Sequence, residues 1–298
     1  MLSRLLYRDA LMLVIDKPAG FAVHKGPKGG SSLEDYFDPL RFGLPRRPAL
    51  AHRLDRDTSG CLVLGRHRKA LAELGSLFKR GLIGKTYWAV VEGGPDADEG
   101  RIDLPLGRLD DTRGWWMKPD PSGQPAATTW KVLGRSQTSS FTSPWRGEVA
   151  RRSPQGEGVA GGGENTSETS PHPGAFGATL PLQGRDVLTW LALEPLTGRT
   201  HQLRVHCAAM GWPVVGDNIY GTQASLRRLR KESLPRAGGP ILHLHSREVV
   251  VPLYKKREPI RVSAPIPEHM RARLTACGWK EASEKLSTPL PPRSGGEA

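Results

Sequence analysis

Cysteine, long apolar runs and acidic side chains are all scarce in this chain of 298 residues. Each shortage excludes a class of protein. The three cysteines, Cys61, Cys207 and Cys277, lie far apart, so they form neither a disulfide framework nor a C-x-x-C metal motif and read as reduced, buried small apolar residues. The longest apolar runs, such as Leu11 to Ile15, fall far short of the roughly 18 residues that a bilayer span needs. Arg8 and Asp9 interrupt any secretory signal. A soluble chain working in the cytoplasm is the expectation. Acidic residues number 30 against 43 Lys and Arg, a net charge of +13, which predicts a polyanionic partner such as nucleic acid.

The positive charge is unevenly placed. Residues 136–185 hold four Arg and four Glu, and the tail 283–298 is also balanced, so the whole excess belongs to the rest of the chain. The same two segments are poor in large apolar residues: 26 of the 50 residues in 136–185 are Gly, Pro, Ser or Thr. Such a stretch buries too little surface to offset its ordering entropy. It reads as a disordered insertion, and 283–298 as a disordered tail. That leaves 1–135 and 186–282 as one interrupted catalytic domain. Gly161-Gly162-Gly163 has neither a strand pattern before it nor Lys-Ser/Thr after it, which speaks against a phosphate loop.

The insertion is flanked by alternating runs, Ala126 to Leu133 and Val187 to Leu193, which places it at a hairpin tip, where added length costs little. Leu11 to Ile15 and Phe21 to His24 around Lys17-Pro18-Ala19-Gly20 predict a second hairpin. Gly60 to Gly65 reads as a short buried strand, and Lys85 to Val91 as another. Arg68 to Lys79 predicts a helix with Leu71, Leu74, Leu77 and Phe78 on one face and a basic end. Thr200 to Met210 predicts a second helix, with Thr200 as N-cap and Gly211 as stop. Strand pairs with a few helices laid on them give an α+β fold around a mixed, mostly antiparallel sheet.

Two polar strings stand out. His52-Arg53-Leu54-Asp55-Arg56-Asp57-Thr58-Ser59-Gly60 runs straight into a strand; alone, it is a loop closed by Asp57 or Thr58. Thr197-Gly198-Arg199-Thr200-His201-Gln202-Leu203-Arg204-Val205-His206 opens the later helix; alone, it is a solvated basic helix start. Together they resemble the RluA-type RNA pseudouridine synthases. The first matches that family's H-R-L-D-x-x-T-S-G and the second its T-G-R-[ST]-H-Q-[LI]-R-V-H. Pro213-Val214-Val215-Gly216-Asp217, the opening Leu13 to Val23, and Lys85-Thr86-Tyr87 as K-x-Y are similar to further family blocks. The likeness runs from about residue 10 to 270, broken by 136–185.

What the resemblance implies is isomerisation of uridine within RNA. The C1′–N1 bond breaks and the uracil rejoins through C5, which needs no cofactor and no metal. The catalytic aspartate falls on Asp55, a carboxylate able to add to an electrophilic carbon or to stabilise charge developing at C1′; attack at C1′, attack at C6 and a glycal route all stay open. Tyr87 falls on the tyrosine that packs on the flipped uracil and moves a proton. Arg204 falls on the basic partner of the aspartate. Arg53 falls on the arginine that fills the gap left by the extruded base, where a planar guanidinium can stack. His52, Thr58, Lys85, Arg199 and His201 join it as residues expected to touch RNA or to hold the site loops.

The spacing of His201 and His206 is not that of H-E-x-x-H and no acid stands beside them, so no metal site is expected. Arg46-Arg47, Arg227 to Lys231 and Lys255 to Arg257 are candidates for phosphate contacts. Many relatives carry an S4-type module ahead of the core; here the likeness starts within ten residues of Met1, so a monomer selecting a ribosomal or transfer RNA stem-loop through the core itself is expected. A catalytically silent RNA-binding protein of the same fold is the alternative, and loss of Asp55, Tyr87 or Arg204 would have favoured it. A glycosidase would need a second carboxylate placed across the sugar, and Asp57 is too near Asp55 in the chain.

Overall fold

A computed structural model describes residues 1–26, 29–110, 115–136, 187–222, 226 and 242–281. The 136–185 stretch beyond Ser136, the 283–298 tail and the basic run Arg227 to Lys231 lie outside the described residues. In chain order the strands are β1 (Leu5–Arg8), β2 (Met12–Lys17), β3 (Ala49–Leu50), β4 (Ser59–Gly65), β5 (Gly84–Glu92), β6 (Glu99–Asp103), β7 (Leu106–Arg108), β8 (Met117–Pro119), β9 (Ala127–Arg135), β10 (Leu188–Pro195), β11 (Leu244–Val251) and β12 (Ile260–Ser263). Three α-helices lie wholly within the described residues, α1 (Arg68–Lys79), α2 (Gln202–Ala209) and α3 (Glu268–Ala276).

Ten strands share one sheet in the order β1-β2-β4-β11-β5-β10-β9-β6, with β3 beside β4 and β12 beside β11. Among the described residues only β4 and β11 run parallel; the other pairings in this sheet are antiparallel. β7 and β8 form a separate small hairpin. The expected α+β class with a mixed, mostly antiparallel sheet is the observed one.

Apolar runs become strands covered on both faces. Leu13, Ile15, Leu62 and Leu64 enter one core and Met12, Val14, Cys61 and Val63 the other, so β2 and β4 show no polar alternation. Leu74 and Leu77 of α1 pack with Val14 and Val63, and Met270 and Leu274 of α3 pack with Val90 and Trp190. Leu203 and Cys207 of α2 cover the opposite face, with Tyr87, Ala89, Leu191 and Leu193. Each such Leu or Val contributes roughly 1.5–3 kcal/mol by leaving water. All three cysteines are buried and free. Among the described residues no helix is long and apolar enough to cross a membrane.

Two expectations need correcting. Phe21 to His24 is not a strand; β2 pairs with β1 instead, through a tight turn in which the Asp9 carboxylate accepts from the amides of Leu11 and Met12. Lys17-Pro18-Ala19-Gly20 is a turn, but it docks on the loop before β4 rather than joining a hairpin, the Gly20 amide donating to the Arg56 carbonyl over 2.9 Å. Nor does Thr200 cap α2: His201 does so in the left-handed region, φ 54°. The strands flanking 136–185 do pair with each other, Arg135 opposite Thr189, and the Ser136 amide donates to the Leu188 carbonyl.

Gly60 shows why the polar loop must end in glycine as it enters β4. Its φ is +103°, and a Cβ there would sit 2.2 Å from the Ser246 carbonyl oxygen of β11. Gly60→Ala is therefore expected to combine backbone strain with a backbone clash, lowering stability by at least about 2 kcal/mol; urea denaturation measures it, and an unchanged midpoint would show that the two strands can separate at no cost.

Candidate active site

The loop between β3 and β4 carries Asp55 and is held from below. Lys17, at the end of β2, has no solvent exposure, and its Nζ donates to the carbonyls of Pro18, Arg56 and Thr58 over 2.8–2.9 Å. Burial pushes its pKa down to about 7, against the pull of Asp57, Asp55 and Asp16. An ammonium has three N–H groups and a neutral amine two, so the charged form alone satisfies all three carbonyls. The turn closes with the Thr58 amide donating to the Asp55 carbonyl over 3.2 Å.

The opposite wall is the start of α2. Gln202 is buried with all of its hydrogen-bonding capacity in use: Oε1 accepts from Thr197 Oγ1 and the Arg199 amide, and Nε2 donates to the Ala127 carbonyl and Thr128 Oγ1. That anchors the segment before α2 to β9. Two residues on, buried Arg204 donates from Nε and NH2 to the two oxygens of Asp217, both at 2.7 Å. Asp217 Oδ1 also accepts from the amides of Ile219 and Tyr220. Burial works against the Arg204 charge, but Asp217 raises its pKa further still, so the guanidinium is fixed. Its remaining NH1 lies 3.8 Å from Asp55 Oδ2. His201 Nε2 approaches the same oxygen at 3.9 Å.

Tyr87 reaches the cleft from β5, where it stands opposite Ser246 of β11. Burial pushes its phenol pKa far up and Ser246 partly offsets this, so the phenol keeps its proton. Asp55, Thr58, Tyr87, His201 and Arg204 thus line one cleft, with Arg53 and Arg199 also in its wall. Arg53 and Arg199 are exposed, and Arg199 Nε donates to the Pro125 carbonyl. The buried hydroxyl of Thr58 has no hydrogen-bond partner among the described residues, a donor left over for a ligand.

The geometry departs from the sequence reading at several residues. Arg204 does face Asp55, with NH1 3.8 Å from Oδ2, but its close partner, which the sequence reading did not supply, is Asp217. His52 does not line the cleft: its ring stacks on Phe78 of α1 at 4.5 Å and Nε2 accepts the Val63 amide. Burial and the neighbouring Lys85 charge push its pKa down to about 3, so it is a neutral prop for the loop. Lys85 is also absent from the cleft lining. His206 bonds Thr128 and the Leu104 carbonyl rather than facing His201. Lys255 to Arg257 follow Tyr254, whose hydroxyl donates to Asp9; that puts this basic run at the β1–β2 turn, the far end of β2 from Asp55.

Lys17 and Asp217 entered the sequence reading only as members of a turn and a matched block, not as site residues, and Tyr220 did not enter it. The signal for Lys17 was there, a charge closing a fully apolar run; for Asp217 it was an acid a short way past a buried arginine. Trp115 was also missed: it is 61% exposed and meets the His201 ring edge-on at 5.5 Å.

The cleft thus sets a carboxylate beside a fixed guanidinium and a protonated phenol under a rim carrying Arg53 and Arg199. Residues 11–209 match the family model described as RNA pseudouridylate synthase, and the chain belongs to that family. It is 35% identical over 268 residues to an RNA pseudouridine synthase of Zymomonas mobilis, covering 89% of this chain and 94% of the relative. It is 30% identical to the ribosomal large subunit pseudouridine synthase C of Haemophilus ducreyi, covering 90% and 67%. The fold is similar to that of human RNA pseudouridylate synthase domain containing 4, with a TM-score of 0.61 at 23% identity over 93% of this chain and 94% of that one. The protein is an isomerase acting on RNA.

Because Lys17 supplies all three donors under the Asp55 loop, Lys17→Met should keep the shape of the side chain and strand three carbonyls. A stability loss of about 3 kcal/mol is expected, with pseudouridine formation falling alongside it even at temperatures where the variant is folded. Calorimetry and a turnover assay at low temperature check this; a folded variant with wild-type turnover would show that the loop holds itself.

Proposed function

We propose that this synthase modifies a uridine in a ribosomal or transfer RNA stem-loop, acting as a cytoplasmic monomer with Asp55 as the reacting carboxylate. One observation carries the reading: Arg204 and His201 both approach Oδ2 of Asp55, which leaves Oδ1 clear of these two contacts in a cleft that Tyr87 also lines. The ribosomal specificity in the name of the Haemophilus ducreyi relative supports an rRNA target, and the free, buried cysteines suit a reducing compartment.

The target uridine must leave its stack before the carboxylate can reach it, at a cost of a few kcal/mol. Arg53, exposed two residues before Asp55, is suited to occupy the vacated space with its planar guanidinium, and Arg199 to hold a phosphate at the rim. Within the cleft the Tyr87 ring packs on the uracil. The N1–C1′ bond breaks, the base turns, the C1′–C5 bond forms, C5 loses its hydrogen to solvent and N1 gains one, so composition is unchanged. A neutral phenol at Tyr87 can relay that hydrogen; the Arg204 guanidinium, 3.8 Å from Oδ2, holds the carboxylate in place while the base is loose.

The test is tritium release from RNA carrying 5-tritiated uridine. Asp55→Asn should keep RNA binding and lose turnover by more than about a thousandfold, since an amide has the shape but not the charge of the carboxylate; turnover within tenfold of wild type would remove Asp55 from its role. Tyr87→Phe keeps the stacking face, so affinity should hold while turnover falls by roughly 10²–10⁴. A loss confined to affinity would make Tyr87 a packing residue. Mapping pseudouridine in RNA from cells with and without the gene then identifies the target.

A further inference from the structure

We propose that Tyr220 fixes His201 as its Nε2–H tautomer, so that a neutral imidazole turns an N–H towards Asp55 and helps to orient the carboxylate. The inference rests on the assignment of Asp55 above. Tyr220 Oη lies 3.0 Å from the Met117 amide, which donates to it, and 2.8 Å from His201 Nδ1. A phenol has a single hydrogen, and burial pushes the Tyr220 pKa up to about 12, so that hydrogen is present at neutral pH. With the Met117 amide occupying its acceptor side, the Tyr220 O–H is the group left to meet Nδ1. Nδ1 then accepts, and the ring proton of a neutral imidazole resides on Nε2.

Nε2 is the atom that faces Asp55 Oδ2, at 3.9 Å. The imidazole is neutral for a physical reason: burial lowers its pKa, and the Arg204 and Arg53 charges add to this against the opposing pull of Asp55 and Asp217. His201 thereby adds a donor to the site without adding a charge. Its placement is over-determined. The residue is held at φ 54°, a conformation that costs a side-chain-bearing residue about 1–2 kcal/mol, while Tyr220 grips Nδ1 and the Trp115 ring lies edge-on against the imidazole. Tyr220 is itself fixed, by its backbone amide on Asp217 and by the Arg204 guanidinium 5.3 Å above its ring. Tyr220 and His201 are thus positioning residues.

Long-range proton–nitrogen spectra of the full-length protein labelled at histidine nitrogen read the tautomer directly, with His201→Gln used to assign the signals. Wild type should show a protonated Nε2 and a bare Nδ1 at His201; a protonated Nδ1 overturns the proposal. In Tyr220→Phe the His201 signals should move towards a tautomer mixture, with kcat falling at least tenfold and KM little changed. Should that variant fold poorly, the His201 pair decides: the Gln amide can present an N–H near the Nε2 position and Leu cannot. His201→Gln should therefore recover at least tenfold of the kcat that His201→Leu loses, and equal kcat in the two would overturn the proposal. An active Asp55→Asn would instead sink the assignment of Asp55 and leave the tautomer measurement standing.

Discussion

A guanidinium taken out of water needs a carboxylate that comes with it, and the Arg204–Asp217 pair imposes that requirement on the whole cleft. The two side chains are 3% and 0% exposed. Desolvating each charge costs several kcal/mol, and pairing offsets this only when the geometry is good and the remaining lone pairs are satisfied. Both conditions hold: the pair is bidentate, and two backbone amides complete Asp217. The pairing consumes Nε and NH2, so NH1 is the nitrogen left to meet Asp55. One ion pair thus fixes the roll of α2, the turn at 217–220 and the distance at which a charge faces the carboxylate.

The same logic explains what was legible in the sequence. α1, β9 and β10 are set by local periodicity and β4 and β5 by short apolar runs, and these patterns place them to within a residue or two. The His52–Gly60 string was legible as a dense polar run, and Gly60 has a strict steric cause. What was not legible depended on distant partners. Lys17-Pro18-Ala19-Gly20 looks like a hairpin turn because its own residues make a turn, but its hydrogen bonds go to Arg56 and Thr58, about forty residues along. β1 is partly exposed and lacks alternation, so only its pairing with β2 makes it a strand. The close partner of Arg204 lies thirteen residues on in the chain, beyond the reach of any helical spacing rule. His52 illustrates the reverse error: it stands in the most informative string and still turns away from the cleft, because a neutral imidazole accepting the Val63 amide is what joins the loop to β4.

The loop bearing Asp55 has no regular structure of its own, yet it is firmly tied. Its carbonyls at Arg56 and Thr58 are taken by Lys17, and its exit is clamped by the close approach of Gly60 to Ser246. Ser59 joins β4 to β11 a second time through His245 at 2.8 Å. Parallel strands have poorer hydrogen-bond geometry than antiparallel ones, and these side-chain links sit at the single parallel seam of the sheet. The fold therefore places its extra bonding where the backbone ladder is weakest, and Asp55 stands directly upstream of that place.

Charge inside the cleft is close to balance. Arg204 is paired with Asp217 behind the cleft, Lys17 lies beneath the Asp55 loop, and His201 is neutral. The surplus sits on the rim, at Arg53 and Arg199, where water screens it and a phosphate can reach it. This division separates two tasks that one set of cations would perform badly. Under the proposed role of Asp55, rim charge draws the RNA backbone in from a distance without a desolvation cost, whereas a further cation beside Asp55 would hold more tightly the carboxylate that has to react. A neutral N–H donor at His201 orients the carboxylate and adds nothing to that attraction. The neutrality of this imidazole, set by burial and by the charge of Arg204, is therefore what lets it offer Asp55 a hydrogen without placing a second cation beside the carboxylate.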